Sequence, residues 1–215
     1  MAVDQEAVVS ALGTLPLTGN EEGLIPAFGL YLTRHYAAYY NDASYAYLHA
    51  AHAQGDEAVK TARSALIEAG HICAFNTFGG IMVSQEWEAV LGPMLDSRDD
   101  WVHGIVAVIN ALGWGKWRVD SLTANEELRV SIANTYESTG YLASHGQSEV
   151  GCVCFLAAGG VAGIMNLLYH GDIMSKPALS QAYYDELFRG TGAFVGEETA
   201  CRAAGAERCE LIARR

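Results

Sequence analysis

EETACRAAGAERCELIARR, the stretch from Glu197 to Arg215, decides the fold. Cys201 and Cys209 flank Ala204-Gly205, a small-residue pair suited to a tight turn. The stretch therefore predicts two short strands, each delivering a thiol to the same end of a hairpin. Glu198, three residues before Cys201, brings a carboxylate towards that point. Two thiolates and a carboxylate lack one ligand of a tetrahedral zinc site, and either Cys152 or Cys154 can supply it. The plain alternative is a set of compact, apolar buried cysteines with Glu198 in solvent.

Upstream, VGCVCFLAAGGVAGIMNLLYHG (Val150–Gly171) carries no formal charge and is long enough to cross a bilayer. Its glycines, its Tyr169-His170 ending and the lack of flanking basic residues fit a helix buried inside a globular core instead. Further upstream, KWRVDSLTANEELRVSIANTYE (Lys116–Glu137) alternates polar and apolar residues around a TANEE turn, a second hairpin. Before Gly113 the apolar spacing is helical: Ile25–Tyr40, Ser44–Gln54, a long helix capped by Asp56 and running towards Phe78, a short piece at Trp87–Leu91, and a helix capped by Ser97. Another helix is expected near Leu179–Arg189. Hairpins pair antiparallel, so the class is α+β, with N-terminal helices on a small antiparallel sheet of two hairpins. Residues 1–20 read as a loosely attached extension to one domain, 21–215. Its helical part covers 21–113 and its α+β part 114–215.

Of the 215 residues, 51% are hydrophobic and 18% charged, which excludes a disordered chain. The formal charge of −12 argues against nucleic acid and anionic membrane as partners. The start has no basic leader followed by an apolar run, so no export signal and a cytoplasmic location are expected. In a reducing compartment, five cysteines serve metal or redox chemistry more often than disulfides.

LGWGKWRV (from Leu112), CFLAAGGVAG (from Cys154) and the closing stretch together resemble the 4-vinyl reductase domain, which shares its fold with small subunits of the TRAPP vesicle-tethering complexes. The family's cysteine followed by two glycines corresponds to Cys154, Gly159 and Gly163; its closing pattern corresponds to Glu198, Cys201, Gly205, Cys209 and Leu211. The resemblance runs from about Ile25 onward and is specific from Val150. It implies a structural Zn2+ on Cys154, Glu198, Cys201 and Cys209, with no open position for water and the C-terminal hairpin pinned to the glycine-rich helix. Cys152, two residues away on a helix, would point elsewhere. Between Gly163 and Glu198 this chain is longer than compact members, room for a lid or a dimer contact. Phenol-sensing members carry tyrosines where this chain has Ala158 and Gly196. Phenol sensing is therefore not implied, and the small residues would enlarge any cavity there.

Domains of that family bind small hydrophobic or aromatic molecules, so the resemblance implies a sensor, carrier or accessory protein with an internal cavity. Phe75, Phe78, Trp101, His103, Trp114, Tyr136, Tyr141 and Phe155 are the candidate lining, although aromatics at helical spacing more often belong to a core. An enzyme on an aromatic, tetrapyrrole or polyketide-like substrate is the alternative. A vinyl reductase would need a borrowed hydride source, since no dinucleotide fingerprint is present. A cofactor-free isomerase, lyase or hydrolase would draw on His103, His145 or Glu137. The last two fall in NTYESTGYLASHG (Asn134–Gly146), read as a polar loop. A structural assembly subunit is the third reading. The tyrosine-rich stretch from Tyr31 to Tyr47 suits a subunit contact; a homodimer through the N-terminal helices is expected, and a partner protein is a further option. His49 and His52 lie three apart on one helix face. They can hold a metal only with a ligand from elsewhere, and otherwise form an exposed pair.

Overall fold

The structure, a computed structural model, describes residues 3–215. It is α+β. Nine α-helices and six strands are found among the described residues. The helices are α1 (Gln5–Leu12), α2 (Ala37–His52), α3 (Asp56–Cys73), α4 (Gly79–Val83), α5 (Gln85–Val90), α6 (Arg98–Ala111), α7 (Tyr136–His145), α8 (Phe155–Met165) and α9 (Gln181–Arg189). A small hairpin pairs β1 (Ile25–Ala27) with β2 (Leu30–Leu32). The main sheet contains β3 (Trp117–Thr123), β4 (Glu127–Ile132), β5 (Val195–Ala200) and β6 (Cys209–Arg214), in the antiparallel order β3-β4-β6-β5.

Two helix termini follow sequence rules directly. Ser97 accepts from the Asp100 N–H while Asp100 accepts from the Ser97 N–H, a reciprocal capping box that starts α6. Ser180 caps α9 through the Tyr183 N–H. The β3–β4 turn is closed by Asn125 in the left-handed region at φ 65°, which asparagine tolerates better than most residues. Segment 25–40 is the main departure from expectation. It holds the β1–β2 hairpin, because Phe28 and Gly29 both take positive φ, 56° and 67°, the backbone of a twist-matched two-residue turn. The helix starts only at Ala37 and continues unbroken through the region read as a second helix. In the stretch read as an extension, α1 buries Val8 and Leu12 against α6.

Every residue of α8 is buried. One side meets β5 and β6, the other α3, giving three layers: sheet, α8, α3. Glycines permit the α3–α8 approach. A Cβ on Gly159 would lie 2.3 Å from the Ile67 carbonyl oxygen, and one on Gly70 would lie 2.6 Å from that of Leu156, so the two backbones touch. This is the close-packing role open to the glycine-rich segment. The helix from Asp56 to Val83, which includes a π turn at Ala74–Phe78, is long and apolar enough to cross a membrane, but half of that apolar window is buried inside the fold.

Residues 164–197, the long connection, lay α9 along α3. Tyr184, Leu187 and Phe188 are buried, and Glu68 of α3 accepts from the Tyr184 hydroxyl at 2.8 Å and the Arg189 guanidinium at 3.0 Å. A cleft of about 350 Å3 lies between them, lined by Ile72, Phe75, Asn76, Gln181, Tyr184 and Arg189 among others.

Candidate metal centre

Two registers and a bulge bring four donors together. Cys209 opens β6 opposite Ile132 of β4. Cys201 follows β5, and its carbonyl accepts from the N–H groups of Ala204 and Ala206, both at 3.0 Å, while Gly205 takes φ 98° to turn the chain. In a regular strand, residues three apart face opposite sides. The β5–β6 register shifts between Glu198 and Ala200, and a bulge of this kind re-aims side chains. Glu198 and Cys201 thus share one side. Cys154 stands at the cap position of α8.

One ligand atom each from Cys154, Glu198, Cys201 and Cys209 lies within 4.8 Å of the others, the set that the family resemblance implies. All three cysteines are buried and unpaired in disulfides. Cys154 Sγ is 3.6 Å from Cys209 Sγ and 3.2 Å from Thr135 Oγ1, and the Arg202 N–H donates to Cys209 Sγ at 3.4 Å. Glu198 Oε2 accepts from the Cys154 N–H at 2.8 Å, while its Oε1 is buried without a hydrogen-bond partner. An orphaned carboxylate oxygen beside three thiols is the donor a cation would satisfy. Burial pushes the Glu198 carboxyl up to about 8 and the Cys154 thiol upward, so without a cation these groups hold protons. Cys201 is held low because the Cys152 and Cys154 thiols donate to it. The residues fit a soft dication of the zinc class.

Cys152 departs from expectation. Both Cys152 and Cys154 precede α8 in non-helical backbone, not on the helix. Cys152 therefore stays beside Cys201, on the wall of a cleft of about 290 Å3 shared with Arg63, Gly151, Phe155 and Glu198.

Glu137 belongs to a helix, α7, not to a loop. It is buried and spans the start of α8, its Oε1 accepting from the Leu156 N–H at 3.0 Å and its Oε2 from the Ala157 N–H at 2.9 Å. These are orphan donors of a helix that has no side-chain cap of its own. An uncapped Cys-Phe-Leu-Ala start was the sequence signal for a remote acceptor. Burial pushes the Glu137 carboxyl from 4.5 up to about 8. The folded chain then holds a proton that the unfolded chain releases, so this group's contribution to stability is full below pH 4.5 and is lost as pH rises towards 8. Glu137→Gln, neutral throughout, is expected to remove that decline. Urea titrations of both proteins between about pH 6 and 9 should show a shallower fall for the variant, and identical slopes would contradict the assignment.

The other candidates divide among several places. Phe78, Trp114 and Tyr136 form a continuous aromatic chain, with ring centroids 5.5 and 6.4 Å apart, continued by Tyr40 at 5.9 Å. Trp101 packs on Trp87 at 5.2 Å. Tyr141 stands with Tyr45, His49 and His145. His103 is half-buried on α6. Glu137 and His145 sit at opposite ends of α7, about 12 Å apart along its axis. Ala158 and Gly196 touch, since a Cβ on Gly196 would lie 1.9 Å from the Ala158 carbonyl oxygen, and both line the cleft of about 290 Å3 that Cys152 borders.

No family model matches the sequence, and no curated protein does. Among solved structures, the fold is similar to the crystal structure of the phenol-responsive sensory domain of the transcription activator PoxR with phenol. The TM-score is 0.66 at 11% identity, covering 100% of this chain and 91% of that one. At that identity the likeness is one of fold.

Proposed function

We propose that this chain is a zinc-stapled domain that binds a small hydrophobic or aromatic molecule and acts as a sensor, carrier or accessory protein. The observation that carries the reading is the convergence of Cys154, Glu198, Cys201 and Cys209, with a buried unpaired Glu198 oxygen, in a fold whose solved counterpart holds phenol. Zn2+ on three thiolates and a carboxylate would be closed and structural, tying β5 and β6 to the start of α8. The ligand seat would adjoin Phe78, Trp114 and Tyr136, with Trp101, His103, Tyr141 and Phe155 in supporting positions. Ala158 and Gly196 stand where phenol-sensing members carry tyrosines, which favours a ligand other than phenol.

The chain would be a cytoplasmic homodimer. Tyr31, Tyr36, Tyr39 and Tyr47 are all exposed, at 46% or more, around the start and outer side of α2, which suits a contact between copies. Native mass spectrometry of protein purified from cells tests these points together. The expected result is one zinc per chain, a dimer mass and an apolar passenger that the Trp114→Ala variant fails to retain. Protein without metal and without a passenger would overturn the proposal.

A further inference from the structure

His49 has the sequence context of a metal ligand without a partner, and the fold supplies one. His145, the last residue of α7, places its ring 4.9 Å from that of His49, tilted by 41°. Both side chains are exposed. The Tyr141 hydroxyl lies 3.4 Å from His49 Nε2 and its ring stacks beside that imidazole, 5.9 Å away and 17° from parallel. From these positions we propose that His49 and His145 form a second metal site, open and at the surface, for a borderline transition-metal dication such as Zn2+ or Ni2+.

The chemistry follows from how imidazole binds metals. A ligating histidine uses one nitrogen and commonly hands the proton on the other to a fixed oxygen, which sets the tautomer and ring orientation. Tyr141 provides that oxygen for His49: with the Nε2 proton given to the phenol oxygen, Nδ1 is left unprotonated and able to donate to a metal. Tyr141 is buried between α2 and α7 and makes an edge-on contact with Tyr45 at 4.7 Å, so the oxygen is held in place. Neither nitrogen of His145 has a hydrogen-bond partner among the described residues. Burial and the nearby His145 and His52 rings lower the pKa of His49, which keeps it a neutral donor at neutral pH. His52, one turn further along α2, is not gathered with the pair into a set of three converging donors. Water would complete the coordination, in contrast with the closed cysteine centre.

The position also gives the site a consequence. Helix α7 is capped by Thr135, which contacts Cys154, and its first turn carries Glu137, which holds the start of α8. A cation across His49 and His145 would fasten α2 to the far end of the same helix and so stiffen the support of the cysteine centre.

The test is isothermal titration of the purified, metal-replete protein with ZnCl2 and separately with NiCl2, with histidine ring NMR signals followed in parallel. Wild type should take up one additional, exchangeable equivalent, with the His49 and His145 signals moving. His49→Ala and His145→Ala, both exposed positions whose folding is checked by circular dichroism, should each weaken that step about tenfold or more while keeping the tightly held metal. His52→Ala should change it less than about threefold. An absent second step, or one unaffected by His49→Ala and His145→Ala, overturns the site; so does a step lost with His52→Ala and retained with His145→Ala. The signals of His49 and His145 report on this site even if the cysteine centre proves empty, so the two proposals fail separately.

Discussion

The Cys209→Ser variant is expected to lose the zinc proposed for the cysteine centre and to melt about 10 °C or more below the wild-type protein. Cys209 is buried, opens the strand between β4 and β5, and lies 3.6 Å from Cys154 Sγ. Replacing its thiolate leaves two thiolates and a carboxylate facing one another in a buried space, a poor three-ligand site. In small finger domains a structural zinc contributes about 10–16 kcal/mol. This chain has a large core of its own, so a loss of about 4 kcal/mol is the reasonable scale, or about 8–16 °C in a chain of this length. Metal analysis alongside a thermal melt reads both parts. A variant with wild-type stability and full metal content would remove Cys209 from the donor set.

Gly159→Ala should be nearly as damaging, for a reason unrelated to metal. Its new methyl carbon would meet the Ile67 carbonyl oxygen at 2.3 Å and the Gly70 Cα at 2.7 Å, backbone atoms that can move only if α3 and α8 separate. Overpacking of this kind costs about 3 kcal/mol, or about 6–12 °C. Gly160→Ala is the internal control. There the nearest atoms are Phe78 and Trp117 ring carbons at 3.5 and 3.6 Å, ordinary contact distances. The change should be neutral or stabilise by up to about 1 kcal/mol through helix propensity. Equal melting temperatures for the two variants would show that the helices do not cross where Gly70 and Gly159 meet.

Much of the second half was readable from residues. Alternation around TANEE and the Ala204-Gly205 turn marked both hairpins of the main sheet; the spacing of Glu198, Cys201 and Cys209 gave three donors, while the choice of Cys154 over Cys152 came from the family resemblance. The first half was less legible. Ile25 to Leu32 misled because its turn begins with Phe28 in a conformation that a bulky residue seldom adopts. Helix α7 was hidden by its serines, threonine and glycine, residues that favour loops when nothing packs on them. Its formation depends on remote partners: Asn41, whose side chain donates to the Tyr136 carbonyl at 2.9 Å, and the start of α8, to which Glu137 is bound. The pairing of His49 with His145 depends on how α2 lies against α7. Spacing within either helix carries no trace of it.

The order β3-β4-β6-β5 has a further consequence during synthesis. Translation runs from the amino end, so the strand that joins β4 to β5 emerges from the ribosome after both of them. Until Cys209–Arg214 has cleared the exit tunnel, the nascent chain has a two-stranded ribbon, a lone strand and an uncharged helix without its sheet cover. A holding chaperone, or slow release with dilution, should raise the yield of native molecules, and the cysteine centre could take up a metal only after β6 has joined the sheet.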